Sequence, residues 1–179
     1  MCIRDRDAPW IIGNKKHVQW NLKSECYIDI VEFERFSLEP DQALRASALY
    51  KGDLLPDLYD DWILPERERL RRLQTANLER LTEEYRRNRN FTKAISTAQA
   101  LLRHDPWRED VVRTLMLLRY ESGDRAGALV EYDTYSKRLR SEMDVEPMPE
   151  TRARHESIVR NTAVACLLYT SPSPRDRQK

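Results

Sequence analysis

The sequence predicts an all-α protein made of stacked antiparallel helix pairs, and three observations support that fold class. Glycine is scarce, with only four residues in 179, so the chain has little turn material for a strand-rich fold. Leu, Ala, Arg and Glu are abundant, and all four favour helices. From Trp62 onward the apolar residues recur at helical spacing, and part of this pattern repeats along the chain.

Composition also excludes several classes of protein. The longest apolar runs are only a few residues, which is too short to cross a bilayer, and no signal peptide opens the chain. The three cysteines, Cys2, Cys26 and Cys166, lack CxxC spacing and so suggest neither disulfides nor a zinc site. We therefore expect a cytoplasmic protein with no membrane contact.

The two ends of the chain are consistent with an inverted repeat in the DNA; the alternative is a disordered tail rich in Pro, Ser and Arg that matches by chance. Met1-Cys2-Ile3-Arg4-Asp5 can be encoded by ATG TGT ATA AGA GAC. The reverse complement of that string, read in a shifted frame and extended at its edges, encodes Cys-Leu-Leu-Tyr-Thr-Ser, the sequence of residues 166–171. The ends resemble a transposase-based sequencing adaptor. We expect residues 1–6 and 166–179 to be an adaptor artefact, and the remainder to be a fragment.

Setting the ends aside changes the charge argument. Residues 1–6 carry a net charge of +1 and residues 166–179 a net charge of +2. Without them, the formal net charge of the chain falls from +1 to about −2. The remainder therefore lacks the basic footprint of a nucleic-acid-binding domain.

Residues 7–27 predict a β-hairpin. Trp10-Ile11-Ile12 precedes a Gly13-Asn14-Lys15-Lys16 turn, and apolar residues alternate after it. The β-branched run at residues 27–31 predicts a further extended piece. The sequence then turns helical at residues 32–36, and Pro40 begins a short helix that breaks at residues 50–56.

The rest of the chain predicts five helices. The first starts near Pro65 and ends at the Asn88-Arg89-Asn90 turn. Its charged face mixes Glu with Arg, which indicates an ion-paired, solvated surface rather than a phosphate-binding strip. The remaining four are predicted at residues 94–102, 107–120, 125–143 and 150–160.

A shift of 34 residues aligns the helical part with itself. It places residues 88–90 on residues 122–124, Ala94 on Ala128, and Leu81 on Leu115. This is the period of tetratricopeptide repeats, which pair large apolar residues on one helix with small residues on the next. The second copy is degenerate, because it has bulky residues on its second helix and no proline at its exit: Tyr132, Tyr135, Arg140.

Stacked helix pairs create a concave groove, and the groove is the expected functional surface. In tetratricopeptide geometry it would be lined from the first helix of each pair. Each of these side chains is as well suited to stabilising the stack as to contacting a partner. The groove candidates are Glu79, Glu83, Arg86, Arg113, Leu117 and Tyr120.

Six separated blocks carry a more specific resemblance. They are IDIVEFE at 28–34, ALYKGDLL at 48–55, WILPERERL at 62–70, HDPWRE at 104–109, GDRAGAL at 123–129, and VEPMPET at 145–151. In this order they resemble the bacterial transcriptional activator domain of antibiotic-pathway regulators and of related large ATPase-containing regulators. The resemblance assigns residues 28–162 to such a domain. It also implies a partner from the transcription machinery or a second protomer.

In that family the domain follows a winged-helix DNA-binding domain, and the hairpin at residues 7–27 resembles the wing of one. Lys15, Lys16 and His17 could then touch a phosphate backbone, although an ordinary polar turn explains them equally well. The recognition helix would lie upstream, so DNA would be bound only through the missing domain.

The sequence contains none of the common motifs of catalytic sites. It contains no Gly-rich phosphate loop, HExxH, GxSxG or CxxC, and its three histidines are far apart. Asp60-Asp61, the nearest approach to an acidic pair, is better explained as the start of a helix. We expect no enzyme activity in this piece, no cofactor and no small-molecule substrate. The alternative function is a tetratricopeptide scaffold that binds a peptide or chaperone and has no part in transcription.

Overall fold

A computed structural model describes residues 11–13, 16–21 and 27–162. The chain forms two compact units, Met1–Arg80 and Leu81–Lys179, with the division falling inside one long helix. The described elements are β1 (Ile11–Gly13), β2 (Val18–Trp20), α1 (Asp29–Leu38), a 3₁₀ turn (Pro40–Gln42), α2 (Ala43–Leu49), α3 (Ile63–Arg87), α4 (Phe91–His104), α5 (Glu109–Glu121), α6 (Arg125–Met143) and α7 (Pro149–Val159). This helical architecture confirms the predicted fold class.

The first unit contains the short hairpin and the first helices. Strands β1 and β2 pair antiparallel, with Ile11 opposite Trp20. The predicted extended piece at residues 27–31 is wrong, because α1 begins at Asp29. Helical geometry places Ile30, Phe33 and Phe36 on one face, and all three pack in the unit's apolar core. This packing outweighs the strand preference of the β-branched residues.

Buried polar side chains reinforce this core. Phe33, Ala46 and Leu70 are its most buried apolar members. Beside them the fully buried Asn77 donates from Nδ2 to Ser37 Oγ at 2.8 Å, and that hydroxyl donates to the Phe33 carbonyl at 2.7 Å. These buried hydrogen bonds join α3 to α1.

The second unit contains the predicted repeat. Ala94 and Ala128, one period apart, are both fully buried, as small residues at close helix crossings should be. Leu81 and Leu115 are also both buried. Helices α5, α6 and α7 share a core whose buried members are Val112, Met116, Ala128, Tyr135, Leu139 and Ile158.

The two copies of the repeat differ at the exit, as the sequence predicted. Helix α4 has 14 residues and ends at His104, two residues before Pro106. Helix α6 has Arg140 where the proline would stand, and it continues to 19 residues. It stops where Asp144 adopts a left-handed conformation with a φ of 55°. None of the helices in the described part is both long and apolar enough to cross a membrane.

Candidate functional site

A cleft of about 680 Å³ opens in the second unit at the carboxyl-terminal ends of α3, α5 and α7. Its walls combine arginines, two glutamates and two aromatic rings. The lining residues are Glu83, Arg86, Arg87, Arg89, Phe91, Tyr120, Glu121, Gly123, Arg125 and Asn161. We refer to this group of residues as the first cleft.

Three equivalent turns contribute to the first cleft. Each follows a helix and contains one residue of positive φ: Arg89 at 55°, Gly123 at 91° and Asn161 at 60°. In each turn the next backbone amide donates to a carbonyl five residues earlier, at 2.8 Å in all three cases. This is the hydrogen bond of a Schellman cap. The first two turns end α3 and α5, which are the first helices of their pairs, and α7 ends in the same kind of turn.

An ion pair joins α3 to α5 across the first cleft. The Arg86 guanidinium donates from Nε and Nη2 to the two carboxylate oxygens of Glu121, at 2.9 and 2.7 Å. This fork geometry is the strongest form of an Arg–carboxylate interaction. The hydrogen bond to Glu121 is the main reason that the pKa of Arg86 is raised. Glu83 approaches both Arg86 and Arg87, at 3.6 and 3.1 Å.

Polar contacts also join α7 to the first cleft. The Tyr120 hydroxyl donates to Asn161 Oδ1 at 2.8 Å. Arg125 donates from Nε to the carbonyl of Ile158 at 3.1 Å and from Nη2 to that of Val159. These carbonyls belong to the last turn of α7, where a helix lacks internal partners and favours a cation.

The structure separates the six predicted groove residues. Glu83, Arg86 and Tyr120 line the first cleft. Leu117 is buried in the packing of α5, which agrees with the first of the two roles that the sequence left open for it, stabilising the stack. Glu79 is exposed on the part of α3 that belongs to the first unit.

Arg113 lines a second cleft, of about 490 Å³, beside Trp107 and Met148. There it donates to Thr151 Oγ1 at 3.0 Å. The carboxylate of Glu109 accepts from the Met148 amide at 2.9 Å and from the Thr151 hydroxyl at 2.5 Å. Glu109, Met148 and Thr151 belong to two of the six sequence blocks, but the sequence did not predict that they meet, because they lie about 40 residues apart.

The predicted DNA-backbone residues are only partly described. Lys16 and His17 are exposed beside the hairpin, and Lys15 lies outside the described residues. All three cysteines lie outside them as well. In the part of the chain that the structure describes, no cluster of His, Cys, Asp or Glu could hold a metal ion.

Helix pairs with capped turns and side clefts define a class of protein, the tetratricopeptide-like helical-repeat domains. Within that class, the family model for the bacterial transcriptional activator domain matches residues 32–159. The chain belongs to this family, as the six sequence blocks predicted. Among proteins of curated function, none matches the chain in sequence.

Several solved structures share the fold, including the following two. One is EmbR of Mycobacterium tuberculosis in complex with a low-affinity phosphopeptide, at 20% identity and a TM-score of 0.60. The match covers 85% of this chain and 44% of the EmbR chain, so this chain spans less than half of that protein. The other is the C-terminal tetratricopeptide-containing domain of a Plasmodium falciparum FK506-binding protein, at 16% identity and a TM-score of 0.51. That match covers 79% of this chain and 97% of the domain.

Proposed function

We propose that this domain is the protein-interaction and oligomerisation part of a bacterial transcription regulator, and that it positions an upstream DNA-binding domain. The observation that carries the proposal is the family match over residues 32–159, which includes both the helix-pair repeat and the helices before it. The partner would be the transcription machinery or a second protomer. A bacterial regulator with this role would act in the cytoplasm and would need no catalytic group or cofactor in this domain.

The first cleft is the proposed partner surface of the second unit. Arg86 and Tyr120 already make internal hydrogen bonds, so replacing them would also disturb the stack. Arg87 is a better probe, because its side chain is 74% exposed and its ion pair with Glu83 lies on the surface. Arg103 on α4 is an exposed arginine outside the cleft and serves as a matched control.

The test compares Arg87→Glu with Arg103→Glu in the intact regulator. We expect the cleft variant to weaken binding to RNA polymerase, or self-association, about tenfold, because it places a carboxylate in the rim of an interface. The control variant should bind like the unaltered protein. If the two variants had equal effects on RNA polymerase binding and on self-association, the first cleft would not be the partner surface.

The DNA role is proposed for a part that lies upstream of this chain. In support, the hairpin of β1 and β2 has the position of a wing before the activator domain, with Lys16 and His17 exposed beside it. We expect this chain alone to show no sequence-specific DNA binding, and a version extended through the upstream domain to bind its promoter. Tight, sequence-specific DNA binding by the chain alone would contradict the proposal that the upstream domain binds the DNA.

A tetratricopeptide scaffold for a peptide or chaperone is the second candidate, and the similarity to the Plasmodium domain favours it. The two candidates differ over residues 8–60, which a simple scaffold does not need. In the structure Phe33 and Ala46 from that region share a core with Leu70 of α3. Deletion of residues 8–60 should therefore expose apolar surface on α3 and impair folding. Unchanged stability and partner binding after the deletion would favour the scaffold.

A further inference from the structure

We propose that residues 55–64, which we name the docking segment, form a rigid surface that binds a basic amphipathic helix of a partner protein. The segment leads into α3 in the first unit, and its residues line neither of the two clefts described above. The inference therefore does not depend on the role proposed for the second unit.

The docking segment exposes large apolar side chains. Tyr59 is 84% exposed, Trp62 61%, Leu64 53% and Leu55 48%. Single exposed hydrophobic residues are common on protein surfaces, but here four of ten consecutive residues are large, apolar and exposed. Tyr and Trp are also the residues that most often dominate the energy of protein interfaces. The segment thus has the composition of a binding surface.

Arg67 holds the backbone of the docking segment in place. Its buried guanidinium donates to the carbonyls of Leu54 and Leu58, at 2.7 Å each, and to that of Leu55. The Ile63 amide donates to the Asp60 carbonyl at 3.0 Å, and the Ile63 side chain is fully buried. The exposed side chains are therefore presented from a fixed backbone. A preorganised surface loses less conformational entropy when it binds.

The charge of the docking segment selects the chemistry of the partner. Asp57, Asp60 and Asp61 are all exposed, and within the described residues no Lys or Arg side chain pairs with any of them. Asp60 and Asp61 lie just before α3, the helix-start position expected from sequence, where negative charge complements the helix dipole, but within the described residues their carboxylates make no capping hydrogen bond. Three exposed carboxylates within the same ten residues as two exposed aromatic rings favour a partner whose apolar surface is flanked by cations. A basic amphipathic helix presents that pattern along one face.

The experiment uses the full chain and three synthetic peptides of equal length carrying a fluorescent label. The first is a helix with a leucine stripe flanked by lysines, the second has the same composition in scrambled order, and the third has glutamate in place of lysine. We expect saturable binding of the first peptide by fluorescence anisotropy, and at least tenfold weaker binding of the other two. Equal binding of the first two peptides would overturn the proposal.

Variants then locate the contact on the docking segment. Trp62→Ala should weaken binding of the first peptide about tenfold or more, because it removes an aromatic anchor. Tyr27→Ala is the matched control, since Tyr27 is also an exposed aromatic residue of the first unit but lies outside the segment. Circular dichroism would verify that both variants fold. Equal affinity of Trp62→Ala and the unaltered chain would overturn the proposal.

The charge and the rigidity of the surface have separate tests. The double variant Asp60→Asn and Asp61→Asn should weaken binding and reduce its dependence on salt. Arg67→Met should weaken binding although no side chain of the patch is altered. A second copy of the chain could also bind the docking segment, and sedimentation velocity of the chain alone measures such self-association. Self-association that Trp62→Ala abolishes would overturn the assignment to a basic partner.

Discussion

Asn90 and Asp124 cap α4 and α6, the second helices of the two pairs, in the same way and one repeat period apart. Asn90 Oδ1 accepts from the Lys93 amide at 3.3 Å, and Asp124 Oδ1 accepts from the Gly127 amide at 2.8 Å. The bond to Gly127 is also the main reason that the pKa of Asp124 is lowered. The repeat is therefore present in the hydrogen bonds of the turns as well as in the apolar pattern.

The second cap predicts an unusual response to Gly127→Ala. Replacing a helical glycine by alanine ordinarily stabilises a helix by about 1 kcal/mol. Here the added Cβ would lie 2.0 Å from Asp124 Oδ2, so the carboxylate must move and the cap bond is lost. We expect little or no gain in the free energy of unfolding from Gly127→Ala alone. In an Asp124→Ala background the same change should give the full gain, as measured by urea denaturation. Equal gains in both backgrounds would show that the cap and the glycine are not coupled.

A second prediction concerns the close helix crossing at Ala128. This side chain is fully buried in the core of the second unit, whereas Ala126 on the same helix is exposed. Ala128→Leu should lower the free energy of unfolding by about 1–3 kcal/mol, because the added atoms overfill a packed site. Ala126→Leu should change it by less than about 0.5 kcal/mol. Similar losses in the two variants would contradict the repeat geometry.

The Arg86–Glu121 pair gives a third prediction. Both side chains are mostly buried, with relative exposures of 25% and 20%. Arg86→Lys keeps the charge but loses the two parallel hydrogen bonds, and we expect a loss of about 1 kcal/mol in stability. A double-mutant cycle with Glu121→Gln measures the coupling directly. Additive losses would mean that the pair does not help to hold α3 and α5 together.

Tyr135 predicts sensitivity of the second unit to alkaline pH. Burial is the main cause that raises its pKa to about 12, with smaller contributions from Glu109 and Asp105. Because the unfolded tyrosine loses its proton near pH 10, the unfolded state gains stability first as pH rises. The contribution of Tyr135 is therefore complete below about pH 10 and is lost between pH 10 and 12.

Tyr135→Phe tests this assignment. The variant loses the hydrogen bond from the hydroxyl to the Trp107 carbonyl, 3.1 Å long, so it should be less stable at neutral pH. Its stability should also fall less steeply above pH 10 than that of the unaltered chain. Parallel pH profiles for the two proteins would assign the alkaline loss to other groups.

The sequence was most informative where structure depends on local spacing. Ala94, Ala128 and the two capping turns follow from a repeat that neighbouring residues reveal. The sequence was least informative where the outcome depends on distant partners. The start of α1 depends on packing against Leu70, and the Glu109–Thr151 hydrogen bond joins separate helices. The three hydrogen bonds from Arg67 to the backbone carbonyls of residues 54, 55 and 58 likewise could not be predicted from the sequence.

Transcription in vitro by the intact regulator most directly tests the claim that this domain supplies protein contacts. The comparison is between the whole regulator and a version with residues 28–162 replaced by a flexible linker, with promoter occupancy measured in the same reactions. Protein concentrations would be adjusted to give equal occupancy. We predict that the shortened regulator then fails to raise transcription above the level of the promoter alone. Full activation at equal occupancy would contradict the account.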